Sequence, residues 1–170
     1  WPNWPLPLRR LRASDLPDAA ARGDADAIAR LLELGFPIDS EDAQGATALI
    51  RAAGAGHAAL LVQLLDAGAD ATHVTRSGMH VLAAAVAARR EAVVRTLLNH
   101  QVAPDTRIAG GGTTLTLACA VGEPRIVDAL LEAGADANAL DDHGGTPLHA
   151  VAHYAFACGD ASTARAMFER

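Results

Sequence analysis

A chain of 170 residues, 51% apolar but only 4% aromatic, has material for one domain whose core is filled by small side chains rather than rings. Its 20 acids against 14 bases give a formal charge of −6, a poor electrostatic match for nucleic acid or an anionic bilayer. No apolar run approaches the roughly 20 residues of a membrane-spanning helix, and Cys119 and Cys158 form neither a CxxC pair nor a disulfide framework, which points to reduced thiols in a cytosolic setting.

In chain order, the first stretch, "WPNWPLPLRRLR" (1–12), carries Pro2, Pro5 and Pro7 and cannot begin as regular helix. Two readings stand for it. Residues 1–10 form an arm packed over the first folded unit of the chain, burying Trp1 or Trp4. Alternatively they are the exit from a membrane segment, with Arg9, Arg10 and Arg12 on the cytoplasmic side.

From there the chain repeats itself. Leu16, Leu49, Leu82, Leu115 and Leu148 stand at a constant interval of 33 residues. The pairs Leu31-Leu32, Leu64-Leu65, Leu97-Leu98 and Leu130-Leu131 keep the same interval, as do Gly35, Gly68 and Gly134, with Gln101 in the third place. Ser14, Thr47, His80, Thr113 and Thr146 form a further row. Within one unit, "TALIRAAG" (47–54) reads as a first helix with Thr47 capping its amino end. "HAALLVQLLDAG" (57–68) reads as a second, stopped at Gly68, and "ADATHVTRSG" (69–78) as an extended arm containing a turn. Helices this short are marginal alone, so each unit must bury its apolar faces against its neighbours, which makes a solenoid.

The segments "GGTPLHAVA" (144–152) and "IVDALLEAGADANALDDHG" (126–144) resemble the ankyrin repeat in their TPLH tetrapeptide, paired leucines and GADxNAxD tail. The resemblance implies an all-α solenoid of stacked helix-turn-helix units with β-hairpin-like connecting loops. Five units are expected after the arm 1–10, at about 11–44, 45–77, 78–110, 111–143 and 144–170, the first a degenerate cap. It also implies a partner protein held on a concave side built from hairpin tips and first helices. The contact candidates are then Glu41, Gln44, His73, Arg76, Arg107, Ile108, Leu140, Asp142 and His143 at the tips, with Arg51 and Leu117 on the helices. No cofactor, metal or small-molecule substrate is implied, and the expected place is the cytoplasm or the cytoplasmic side of a membrane protein. A second expectation is a regulatory or targeting domain of a larger membrane-linked or secreted protein. The alanine- and arginine-rich, lysine-free composition suggests a bacterial source.

Catalytic alternatives are weaker on the residues themselves. "AGGGTTLTLA" (109–118) looks like a phosphate-binding loop, but a P-loop needs a lysine after its glycines and the chain has none. Gly111 lies on the row of Gly78 and Gly144, where a turn leads back into each first helix. Cys119 takes the slot of Ala53 and reads as a small core residue. The neighbours Asp141-Asp142 and Glu41-Asp42 point apart in an extended arm, so neither pair makes an acid/base dyad. His149 and His153 are spaced for one helix face, but His149 is the histidine of TPLH, which the resemblance assigns to a hydrogen-bond network between units. Finally, the last unit's matches to Gly56 and Leu64-Leu65 fall four residues late, at Gly159 and Met167-Phe168. One extra helical turn around "HYAFAC" (153–158) accounts for the delay, either as a stretched helix covering the end of the stack or as an aromatic contact for a partner.

Overall fold

The computed structural model describes residues 11–159 and 161–169, the side chain of residue 168 excepted, so the arm 1–10 lies outside the described residues. Among the described residues ten helices form five antiparallel pairs: α1 (Asp15–Arg22) with α2 (Ala25–Glu33), α3 (Ala48–Ala55) with α4 (Ala58–Asp66), α5 (Val81–Ala87) with α6 (Glu91–Asn99), α7 (Thr114–Val121) with α8 (Pro124–Glu132), and α9 (Pro147–Cys158) with α10 (Ala161–Phe168). The odd-numbered helices stack in sequence as an inner row, and α4, α6, α8 and α10 stack as an outer row. The arms between pairs are hairpin-like, closed by isolated antiparallel bridges at Val74–His80 and Arg107–Thr113. This is the solenoid that the period predicted, of the ankyrin type that the resemblance implied.

The core is the ladder of repeated side chains. Leu16, Leu49, Leu82 and Leu115 are at most 1% exposed, and Leu31, Leu64, Leu97 and Leu130 fill the space between the two rows. Alanines such as Ala20, Ala52, Ala53 and Ala85 sit between inner helices, which their size allows to approach closely. The fifth rung breaks the pattern. Leu148 is 51% exposed, because within the described residues no inner helix stacks beyond α9. The equivalence in sequence is real, but burial depends on a neighbour that only the first four pairs have.

Most inner helices begin at a row of β-region residues, and the capping differs among them. The Thr113 hydroxyl accepts from the Thr116 amide, and the Thr116 hydroxyl accepts from the Thr113 amide, a reciprocal box. The His149 imidazole likewise serves Thr146, so its hydrogen bonds stay inside its own pair rather than joining neighbours. Thr47 does not cap α3 as expected; its hydroxyl is buried without a hydrogen-bond partner.

His80 fills the same row with an ionisable ring. Its Nδ1 accepts from the Ala83 amide at 3.3 Å, and the side chain is buried. Burial holds its pKa below the usual 6.5, opposed only in part by the Thr106 main chain. The unfolded chain therefore takes up a proton near pH 6.5 while the folded chain still resists it. Stability should fall as the pH drops below about 6.5 and level off once the folded imidazole also titrates. Urea midpoints measured from pH 7.5 to 5 should show this slope, and His80→Thr, the residue of the neighbouring rungs, should flatten it. An unchanged slope in the variant would refute the assignment.

Candidate functional site

The arms are shaped by local hydrogen bonds. The Asp42 carboxylate accepts from the Gln44 and Ala46 amides at 2.8 and 3.0 Å and from Arg51 Nε at 2.6 Å. Burial pushes the Asp42 pKa up, but these donors outweigh it and hold the group below the ordinary carboxylate value. Arg51 Nη2 also donates to the Gln44 side chain at 2.9 Å, so one arm and the helix it enters are tied together. Asp141 repeats the motif, accepting from the Gly145 and His143 amides, and its pKa is lowered for that reason. In the second arm the Thr75 hydroxyl takes the same part, accepting from the Met79 amide. The third arm has Ile108 at this place and closes through its backbone, with the Ile108 amide donating to the Gly112 carbonyl at 2.9 Å; Gly110 and Gly111 make its turn at φ +92° and +76°.

Neighbouring arms touch one another. The Arg76 amide donates to the Gln44 carbonyl, the His73 ring lies 2.8 Å from the Gly45 carbonyl and 3.7 Å from the Glu41 carboxylate, and Arg107 donates to the Gly111 and Leu140 carbonyls. The Asp142 carboxylate covers Gly111. Of the expected contact residues, then, Arg51, His73 and Arg107 also hold the arms in place. Glu41, Gln44, Arg76, Leu140, Asp142 and His143 are exposed, and the Arg76 side chain makes no hydrogen bond or ion pair among the described residues.

Beside the arms, the inner helices leave an apolar groove. Its larger part, about 460 Å³, is lined by Ala21, Ile50, Arg51 and Ala84 together with Met79 and Ala87. A smaller part of about 170 Å³ shares Met79 and Ala87 and adds Ile108, Ala109 and Leu117. Among the expected residues, Arg51, Ile108 and Leu117 line this groove, and the others lie outside its walls. Sequence reasoning missed Met79. Its row contains Ala46, Gly112 and Gly145, so an isolated large side chain among small ones was the available signal. Ala84, which takes the same place on its helix as Arg51 and Leu117 do on theirs, is 6% exposed and forms the groove floor.

Other candidates resolve differently. Burial raises the Cys119 thiol to about 11, which keeps it protonated and unreactive at neutral pH. Among the described residues no three His, Cys, Asp or Glu side chains lie close enough together to hold a metal ion. A further cavity of about 570 Å³ lies on α1 and α2, lined by Leu11, Leu34 and side chains of both charges. The four extra residues lengthen α9 to 12 residues, ending at Gly159. They divide the two aromatics: the Tyr154 ring lies on Gly122, whereas Phe156 is 92% exposed.

Comparison with known proteins agrees with this geometry. A family model described as ankyrin repeats (3 copies) matches residues 16–108, and one for a single ankyrin repeat matches 110–142. The human neurogenic locus notch homolog protein 2 is 38% identical over 152 residues, covering 85% of this chain and 6% of that protein. The Xenopus tropicalis neurogenic locus notch homolog protein 1 is 35% identical over 78% of this chain and 5% of its own length. The E3 ubiquitin-protein ligase KEG of Arabidopsis thaliana is 34% identical over 79% of this chain and 8% of its own. The chain thus spans less than a tenth of each of these relatives. They are animal and plant proteins and lend no support to the bacterial source suggested by composition. Among the described residues no helix is long and apolar enough to cross a membrane. The period, the paired helices and these matches converge: the chain belongs to the ankyrin repeat family.

Proposed function

We propose that this chain is a non-catalytic module that holds a partner protein against the face formed by its inner helices and arms. Proteins of this family bind other proteins. The observation that carries the reading here is the apolar groove centred on Met79 and Ala87, which is open and walled by packed helices. A preformed groove lowers the ordering cost of binding. An apolar side chain of the partner enters it, and the exposed arm residues Glu41, Gln44, Arg76, Leu140, Asp142 and His143 discriminate among candidates. Arg76, beside the groove and without a side-chain partner among the described residues, favours a partner with a carboxylate next to its apolar anchor. The small share of its relatives that the chain covers supports a second aspect: the module positions or regulates a longer protein, on the cytoplasmic side of a membrane where such a protein has one.

Affinity capture from the source organism tests the reading with three baits: the native chain, Ala87→Glu in the groove, and a triple arm variant (Arg76→Ala, Arg107→Ala, Leu140→Ala). A charge at the groove floor should reduce recovery of one specific protein about 100-fold, the equivalent of roughly 2.7 kcal/mol. The arm variant should lose less affinity and more selectivity. Equal recovery by all three baits would place binding elsewhere.

A further inference from the structure

The cavity of about 570 Å³ on α1 and α2 lies beside the point where the chain enters the first helix pair. Its floor is sheltered, with Ala19 1% and Leu31 5% exposed. Its mouth is not: Leu11 and Leu34 line it and are 54% and 65% exposed. The remaining wall is charged. Asp15, Asp18, Asp24 and Asp26 stand against Arg22 and Arg30, four carboxylates to two guanidiniums. Asp18 and Asp26 make no side-chain hydrogen bond or ion pair among the described residues. This is not a stacking face awaiting another helix pair. Asp15 occupies the row of Ala48, Val81 and Thr114, which are at most 1% exposed in the stacked helices, and a carboxylate is unsuited to that burial.

The chain supplies an occupant of matching chemistry. Residues 1–10, "WPNWPLPLRR", join the cavity wall at Leu11, are rich in apolar side chains, and carry Arg9 and Arg10 with no acid. Basic arm and net acidic wall are complementary, and the arginines stand a few residues from Asp15 and Asp18 in sequence. We propose that this arm folds back over the cavity and seats the Trp4 indole in it, covering Leu11 and Leu34. The reach is sufficient. Seven residues separate Trp4 from Leu11 and span at most about 22 Å, against roughly 12 Å for the eight residues of α1. Pro5 and Pro7 restrict the free arm, so less freedom is lost when it docks. Trp1 would require a longer closed loop. Arg22 and Arg30 stand in the wall where a guanidinium can lie over an indole face. The contact is separate from the groove at Met79 and Ala87 and does not depend on it.

Trp1 and Trp4 are the only tryptophans of the chain, so intrinsic fluorescence reports on the arm alone. In a Trp1→Phe background, Trp4 should emit at shorter wavelength than a free tryptophan amide, and acrylamide should quench it roughly threefold less. Adding Leu34→Asp, at the exposed mouth, should return both readings to the free values with the helical circular dichroism unchanged. Leu140→Asp, an exposed apolar position on the fourth arm, should leave them as they were. A second readout fixes the location: nuclear Overhauser contacts should join the Trp4 indole to the Ala27 and Leu31 methyls, which line the cavity. An indole at position 4 as accessible as the free amide overturns the proposal. So does protection that survives Leu34→Asp, or protection without a contact to either methyl. An emission shift that appears only when anionic lipid vesicles are added would assign the arm to a membrane surface instead and overturn it as well.

Discussion

Leu82→Ala is expected to destabilise the protein by about 3–4 kcal/mol, the range for a fully buried leucine whose surroundings cannot collapse. Leu82 is 0% exposed, on an inner helix held between α3 and α7. Deleting it removes packing against both neighbours, and the arms and outer helices that fix the spacing of the pairs resist closing the space. The informative control is the same substitution 66 residues further on. Leu148→Ala removes an equally large side chain from the equivalent place in the repeat, yet should cost under about 1 kcal/mol in the monomer because half of that side chain already faces water. Guanidinium denaturation at low protein concentration, followed by helical circular dichroism, measures both. Equal losses at the two positions would mean that the repeat interval, and not stacking, determines each leucine's contribution.

Gly122→Ala should be nearly as damaging, for a different reason. Gly122 ends α7 at φ +76°, and a Cβ there would run into the Tyr154 ring, which lies across the glycine. Two penalties add: about 1 kcal/mol for a side chain in the left-handed region, and about 1–3 kcal/mol for displacing a packed ring. Gly134 supplies the comparison, since it has φ +90° and nothing within 4 Å of its would-be Cβ. Gly134→Ala should therefore cost only the first penalty, about 1 kcal/mol. The double variant Gly122→Ala with Tyr154→Ala should recover the steric part, giving a coupling energy that a double-mutant cycle reads directly. Independent, additive losses would show that the ring is not seated on the glycine.

The architecture was legible because a period of 33 residues writes the same instruction several times, so one weak cap or one odd side chain does not obscure it. Gln101 stands in a glycine's place and still adopts φ +62°, and Arg89 stands where Gly56 and Gly122 do and adopts φ +58°. The Arg89 guanidinium bonds the Val121 carbonyl and the Glu123 carboxylate of the next pair, an interaction that offsets its backbone strain. No single-residue rule predicts that exchange. The groove was harder to see. Periodicity identifies which positions recur, whereas a binding surface is made by those that do not, and Met79 betrays itself only against Ala46, Gly112 and Gly145. The exposure of Leu148 was hidden for the opposite reason, since its sequence context is complete and only its spatial neighbour differs.

The contacts of this molecule are short-range in sequence. Among the described residues hydrogen bonds and ion pairs join a helix pair only to the adjacent one, and the widest, from Arg95 to Glu132, spans 37 residues. A disturbance at one end therefore fades step by step rather than unravelling the whole at once. Among the described pairs, fraying should begin where a pair has a neighbour on one side alone, and the central pair, built on α5, is furthest from both ends. The groove proposed above to receive a partner lies mainly on α3 and α5, so it should outlast fraying of either end pair.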